Sequence, residues 1–411
     1  VGYFAGQQVT TGLKNVLIGG IAGDALTDAD LNVAVGFQSL SADTKGSRSV
    51  AVGAFALQAQ NFTTATNSYN VAVGVDACLL VTTGTLNTLI GGLAGDALTD
   101  GEANVAIGYG ALGAEDQADA NVAIGVNTLA NQNAGTSEAY NTAVGHNAGR
   151  QVTTGTVNTL IGGLAGDALT SGNSNVALGY VALSADTLGD RAVAIGMNSL
   201  ANQNFTTTTD NFNVGVGYQS GLSVTTGVEN TLLGANSGDA LTDTDGNVAV
   251  GAYALSTDTL GARAVAVGHS ALLTQNFATA TNNYNVGVGH QAGRAVTTGS
   301  LNTLVGGLAG LALTSGNNNT ALGYAALSTD TLGDRNVAVG IQALGAQNFT
   351  TSTDSYNTAV GFTAGASITT GTLNTLIGGL AADALTSGNS NVALGYVSLS
   401  ADTLGDRAVA L

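Results

Sequence analysis

The sequence predicts an all-β fold: a parallel β-solenoid, or β-roll, built from 17/17/17/21-residue coils. Three observations carry that prediction. A glycine-closed motif, N-[VT]-[AL]-[VIL]-G, returns along the whole chain. The residues between returns keep the same types at the same phase, and the 411 residues include 60 Gly but no Pro. Self-similarity at a short fixed period marks an architecture in which each unit buries its face against the next.

The closing glycine of the motif serves as a ruler. Gly2, Gly19, Gly36 and Gly53 are 17 residues apart, Gly74 follows after 21, and the pattern then repeats, with a single 20 between Gly125 and Gly145. Four coils make a super-repeat of about 72 residues, beginning near Gly2, Gly74, Gly145, Gly217, Gly289 and Gly361. The expected organisation is one continuous array over residues 1–411. It opens and stops within a motif and carries no atypical capping coil, so it is read as uncapped at both ends and as an excerpt of a longer fibre.

Each column has a physical reading. In V-A-V-G the β-branched residues at −3 and −1 from the ruler face one way, and the small residue between them faces the other. Asn at −4 and the T-x-G that begins eight residues after the ruler are turn chemistry, with the glycine expected to take positive φ. A helix is disfavoured by recurring Gly and by β-branched residues at regular positions. Identical phase implies coils stacked in register, with Asn, Thr and Val forming ladders, and a proline would delete a ladder hydrogen bond.

Composition excludes several classes. Nine Lys plus Arg against 27 Asp plus Glu give a net charge of −18. So few cations argue against nucleic acid, whose phosphates need clustered Lys and Arg. One Cys rules out an intrachain disulfide framework and a Cys-based metal site. Apolar runs are broken well before about 18 residues, so no membrane contact is expected of this segment.

The residues N-V-A-V-G-F-Q-S (Asn32 to Ser39) and N-V-A-I-G-V-N-T (Asn121 to Thr128) resemble the S-V-A-I-G-x-x-S repeat of YadA-like trimeric autotransporter adhesin heads. Similar arrays occur in bacteriophage tail-fibre proteins. The resemblance covers the whole chain and departs in coil length, which is greater here. It implies a β-roll in which three chains share an axis, and hence an extracellular place on a cell surface or virion. A homotrimer is also expected on physical grounds, because a thin coil would otherwise leave a Val/Ile/Leu stripe in water.

G-G-L-A-G-D (Gly91 to Asp96, Gly162 to Asp167) superficially suggests a phosphate or calcium loop. No helix pattern or Lys follows it, and its Asp returns only once per super-repeat, so no metal or cofactor is expected. His146 and His290 share a column with Tyr and Phe, and Cys78 stands where other copies have Gly. No nucleophile, base and carboxylate recur together, so no catalytic residue is assigned and no enzyme is expected.

Two recurring features remain. Asp190, Arg191, Asp334, Arg335, Asp406 and Arg407 are candidate ion-pair positions, within or between chains, with Arg48 and Arg263 in the same column as the Arg residues. The longer fourth coil reads Q-N-F-T-T-x-T-[DN]-x-[YF]-N and concentrates the scarce aromatics in Phe62/Tyr69, Phe205/Phe212, Phe277/Tyr284 and Phe349/Tyr356, with Tyr140 alone in the shorter second copy. These loops are either packed bulges or a row of surface-contact sites for glycans or a cell surface, multiplied by avidity. The expected function is a non-enzymatic structural fibre, the shaft or head of an adhesin or tail fibre. The alternatives are an ice-binding solenoid, suggested by the Thr column, and a glycan-binding or glycan-cleaving tailspike.

Overall fold

The computed structural model describes residues 1–135 and 138–411; Thr136 and Ser137, in the second of the long loops, lie outside the described residues. The described residues are all-β, with no helix, and wind as a parallel β-solenoid whose coils follow the 17-residue spacing. They fall into two compact units, Val1–Asn211 and Phe212–Leu411. No helix among them is long and apolar enough to cross a membrane.

In the first unit, three-residue strands run from Val16–Ile18 to Val193–Ile195, each paired parallel with the strand one coil before or after it within the unit. The register equates ruler positions: Val16 pairs with Val33, Leu17 with Ala34 and Ile18 with Val35. The second unit repeats this arrangement from Val214–Val216 to Val409–Ala410. Smaller parallel pairs form at the loops. Gly46–Ser47 pairs with Thr66–Asn67 and Gly189–Asp190 with Thr209–Asp210 in the first unit. In the second, Gly261–Ala262 pairs with Thr281–Asn282 and Gly333–Asp334 with Thr353–Asp354.

The alternation within each strand divides inside from outside. The middle residue (Ala34, Ala51, Leu89, Leu160) is fully buried, while its neighbours at −3 and −1 face outward and stay partly exposed. The coil has a core of its own, because Leu26, Leu40, Leu57 and Leu98 fill the space opposite the Ala column. Each such Leu contributes roughly 1.5–3 kcal/mol by leaving water.

Buried Asn side chains tie coil to coil. Asn70 Nδ2 donates to the Gly84 carbonyl (2.7 Å), and Asn70 Oδ1 accepts from the backbone N–H of Asn87 (3.0 Å). Asn87 repeats the pattern toward Gly101 and Asn104. The Thr column does likewise at a corner: Thr27 Oγ1 donates to the Thr44 carbonyl and Thr170 Oγ1 to the Thr187 carbonyl, both at 3.0 Å.

Two glycine columns act differently from one another. The ruler glycines have φ near +140° (Gly36 +143°, Gly162 +134°), and a Cβ there would fall on the carbonyl of the next ruler glycine. The glycine of T-x-G corrects the sequence expectation, since Gly12, Gly46 and Gly84 have no positive φ. It is required because a Cβ at Gly84 would strike the Gly101 carbonyl, and one at Gly46 the Asp43 carboxylate. Left-handed backbone falls instead on ordinary residues such as Lys14, Leu31, Arg48 and Tyr69, with φ between 52° and 67°. That conformation costs roughly 1–2 kcal/mol per residue. It aims the N–H at the preceding coil, as in Arg48 to the Asp30 carbonyl (3.0 Å) and Leu86 to the Ser68 carbonyl (2.8 Å).

Candidate functional site

The long loop of each super-repeat stands on a buried polar base. Asp43 accepts from the backbone N–H of Gly46 and Phe62 (3.0 and 3.1 Å) and from Gln60 Nε2 (2.6 Å). Gln60 Oε1 in turn accepts from Asn70 Nδ2 (2.9 Å), which joins the loop to the Asn ladder. The same set recurs as Asp330, Gln347 and Asn357. In the second copy the longer Glu115 takes the place of Asp and bonds Gln132. At Asp186 burial raises the carboxyl above its ordinary range, opposed by hydrogen bonds from Gln203 and from the Phe205 and Gly189 amides.

Reading the sequence did not single out this base. The available signal was the Gln that precedes Asn in every long coil (Gln60, Gln132, Gln203, Gln275, Gln347), together with a carboxylate one coil earlier.

This base sorts the two aromatics of each loop. Phe62, Phe205, Phe277 and Phe349 turn inward and are only 5–6% exposed. Tyr69, Tyr140, Phe212, Tyr284 and Tyr356, at the loop exit, remain about half exposed (47–52%). A surface contact therefore falls to the exit aromatic, while the Phe is a packing residue.

Five residues before each ruler lies a column that links the two sequence candidates. The Arg48 guanidinium sits 5.5 Å from the centre of the Tyr69 ring, and its Nε donates to Asn67 Oδ1 (3.0 Å). Arg263 lies 5.8 Å from the Tyr284 ring and donates to its hydroxyl (2.8 Å). Arg335 lies 5.5 Å from the Tyr356 ring and forms an ion pair with Asp354. Arg191 forms an ion pair with Asp210.

One coil beyond the aromatic comes an exposed aliphatic side chain: Leu86, Val157, Leu301 or Leu373. In the second copy Ala120 stands in the Arg column, and Tyr140 hydrogen-bonds Glu138, which holds the phenol above its usual range.

The Asp that precedes each Arg has another role. Asp190, Asp334 and Asp406 bind the backbone of the coil before them. Their Oδ1 atoms accept from the N–H groups of Asn173, Asn317 and Asn389, each at 2.6 Å. The pairing partners of Arg191 and Arg335 lie in the following loop instead. Arg407 and Asp406 line an open cleft with Asn389 and Ser390.

A second surface is apolar. Outward residues at −1, such as Ile18, Ile90, Leu178 and Leu322, are 36–47% exposed. Beside them, aromatics one residue after the ruler lie over glycines of the preceding coil. A Cβ on Gly92 would meet the Tyr109 ring at 3.5 Å, and one on Gly163 the Tyr180 ring at 3.4 Å. In the fourth copy the pair is absent from both coils, which carry Ala235 and Ala252.

The remaining candidates are scattered. His269 and His290 stack at 5.6 Å in that outer column, and His146 is exposed. Burial pushes the Cys78 thiol well up. Asp24, Asp96, Asp167 and Asp239, in the G-D segments, are raised chiefly by burial. Among the described residues, no three His, Cys, Asp or Glu gather as a metal site would need. Neither a family model nor a curated protein matches the chain.

Proposed function

We propose that this chain is a non-enzymatic, extracellular structural fibre, the shaft or head of an adhesin or tail fibre, assembled as a homotrimer. The observation that carries the reading is the outward apolar column at −1 in each unit, flanked by half-exposed aromatics such as Tyr109 and Tyr180 in the first and Tyr324 in the second. A soluble monomer rarely exposes a contiguous apolar patch of more than a few hundred Å². Three copies packed on these columns bury them and leave the Arg–aromatic corner outside. That corner presents a cation, an aromatic face and an aliphatic side chain at Arg48/Tyr69/Leu86, Arg263/Tyr284/Leu301 and Arg335/Tyr356/Leu373, a row of weak contacts for glycans or a cell surface that gains strength through avidity. The charge of −18 per chain keeps such a fibre soluble.

The Thr column gives little support to ice binding, because its hydroxyls already donate to carbonyls of the next coil. Thermal hysteresis is expected to be absent. The test of the contact reading is adhesion of the purified chain to glycan-bearing cells, with Tyr69, Tyr284 and Tyr356 replaced together by Ala. Adhesion is expected to fall by at least about tenfold, and unchanged adhesion contradicts the reading.

A further inference from the structure

The six super-repeats are near copies, so a departure at one column stands out against five internal controls. The column six residues before the fourth ruler of each copy supplies an oxygen to the backbone of the coil before it. Ser47 Oγ accepts from the Asp30 N–H (2.9 Å) and Asp119 Oδ1 from the Glu102 N–H (2.6 Å). Asp190, Asp334 and Asp406 accept from Asn173, Asn317 and Asn389 in the same way.

In the fourth copy the residue is Ala262, which offers no oxygen, and the Asp245 N–H has no acceptor among the described residues. An open cavity of about 220 Å³ lies there, walled by Asp243, Asp245, Leu260, Ala262, Thr281 and Asn282. That space exceeds a single water, whose share of liquid volume is about 30 Å³.

The chemistry of the walls selects among ligands. Asp245 Oδ1 already accepts from the Val228 N–H (2.9 Å) and Asp243 Oδ1 from the Thr242 hydroxyl (3.2 Å), and each carboxylate keeps a second oxygen. Arg263, whose stem lies 3.8 Å from where a Gly246 Cβ would stand, gives its NH1 to the Tyr284 hydroxyl. Its loop carries Asn282 where the third and fifth copies carry Asp210 and Asp354.

An anion would take the Asp245 N–H but face two carboxylates. A cation would take the carboxylates but leave the N–H unmet, which costs affinity when the group is covered. A neutral polyol satisfies both, because one hydroxyl accepts from the N–H while its neighbour donates to a carboxylate. Leu260 and Ala262 offer an apolar wall to ring C–H groups.

We infer that the fourth super-repeat holds a binding site for one unit of a neutral saccharide, centred on the Asp245 N–H and opened by Ala262. This rests on the reading of the loop corner as a glycan-contact surface and assigns that contact to one copy. Affinity for a single unit is expected to be about millimolar, as befits a small open cavity.

The test is ligand-observed NMR on the full chain with glucose, galactose, mannose and N-acetylglucosamine, alongside glucuronate and glucosamine as anionic and cationic arms. At least one neutral sugar is expected to bind and the charged arms are not. The decisive variant is Ala262→Asp, which restores the residue found in four sister copies. It is expected to melt no lower than the parent and to lose binding by at least about tenfold.

Binding unchanged in Ala262→Asp but lost in Tyr284→Ala would overturn the cavity while leaving the corner reading intact. Binding confined to glucuronate or to glucosamine overturns the assignment to neutral sugars. No binding by any sugar overturns the inference, while adhesion to cells still reports on the corner reading separately.

Discussion

The Asn ladder and the loop corner lie on the same coils and do the same job, yet they differ in how freely they vary. Both carry a side-chain oxygen to a backbone N–H of an adjacent coil. In the ladder the bond is fully buried, and the amide must accept on one side and donate on the other, as Asn158 does with Asn175 and Gly172. Only Asn has that geometry at that length. At the corner six residues before the ruler only an acceptor is needed and water is near, so Ser47, Asp119, Asn173 and Asp190 interchange. Where two-sided bonding meets burial, the column keeps Asn except on entry to the fourth coil, where Ser49, Ala192, Ala264 and Ala408 end the run. Where one side is open, it drifts, and at Ala262 it drifts far enough to open a cavity.

Four substitutions or conditions probe this contrast, from the most to the least damaging. Gly162→Ala places a Cβ on the Gly179 carbonyl at a φ of +134°. It is expected to cost on the order of 4 kcal/mol or more, read as a lost or strongly shifted denaturation transition. Asn158→Ala strands the Asn175 N–H and the Gly172 carbonyl inside the stack. About 2–5 kcal/mol is expected for these two buried groups, measured by denaturant midpoint, against a much smaller loss for Asn173→Ala at the corner.

The third probe is pH. The carboxyls of Asp96, Asp167 and Asp239 are raised mainly by burial, and Asp239 Oδ1 is buried without a hydrogen-bond partner. A carboxyl raised in the folded state holds its proton more tightly there than in the unfolded chain. Its contribution is therefore complete below the ordinary carboxyl range and is lost as pH rises through the raised value. Melting temperature is expected to rise on mild acidification from pH 7. Asp96→Asn, Asp167→Asn and Asp239→Asn together are expected to flatten that rise, and the fifth copy already carries Leu311 in this column.

The smallest effect belongs to the corner ion pair. Arg335→Ala removes an exposed pair with Asp354 and is expected to cost about 0–1 kcal/mol, less at high salt.

Much of the fold was legible because every coil repeats the same statement. The spacing of Gly19, Gly36 and Gly53 and the alternation in Val33–Val35 specify register and facing without help from tertiary context. The corners were less legible. Lys14, Leu31, Arg48 and Tyr69 share a left-handed backbone, yet none of these residue types favours it, so the signal lies in the stack and not in the residue.

The sorting of Phe349 inward and Tyr356 outward was equally hidden, since it depends on Asp330 and Gln347 one coil apart. At the Asp–Arg positions an ion pair was legible but its partner was not: Arg335 pairs with Asp354 of the following loop, while Asp334 accepts from the Asn317 N–H of the coil before it.

The central claim is that the outward apolar column is covered by two further copies of the same chain. Multi-angle light scattering of the native chain tests it directly. The expected result is the mass of three chains, retained on dilution, with charged substitutions at Ile90, Leu178 and Leu322 shifting it toward one chain. A native mass of one chain, with those residues still in water, would contradict the claim.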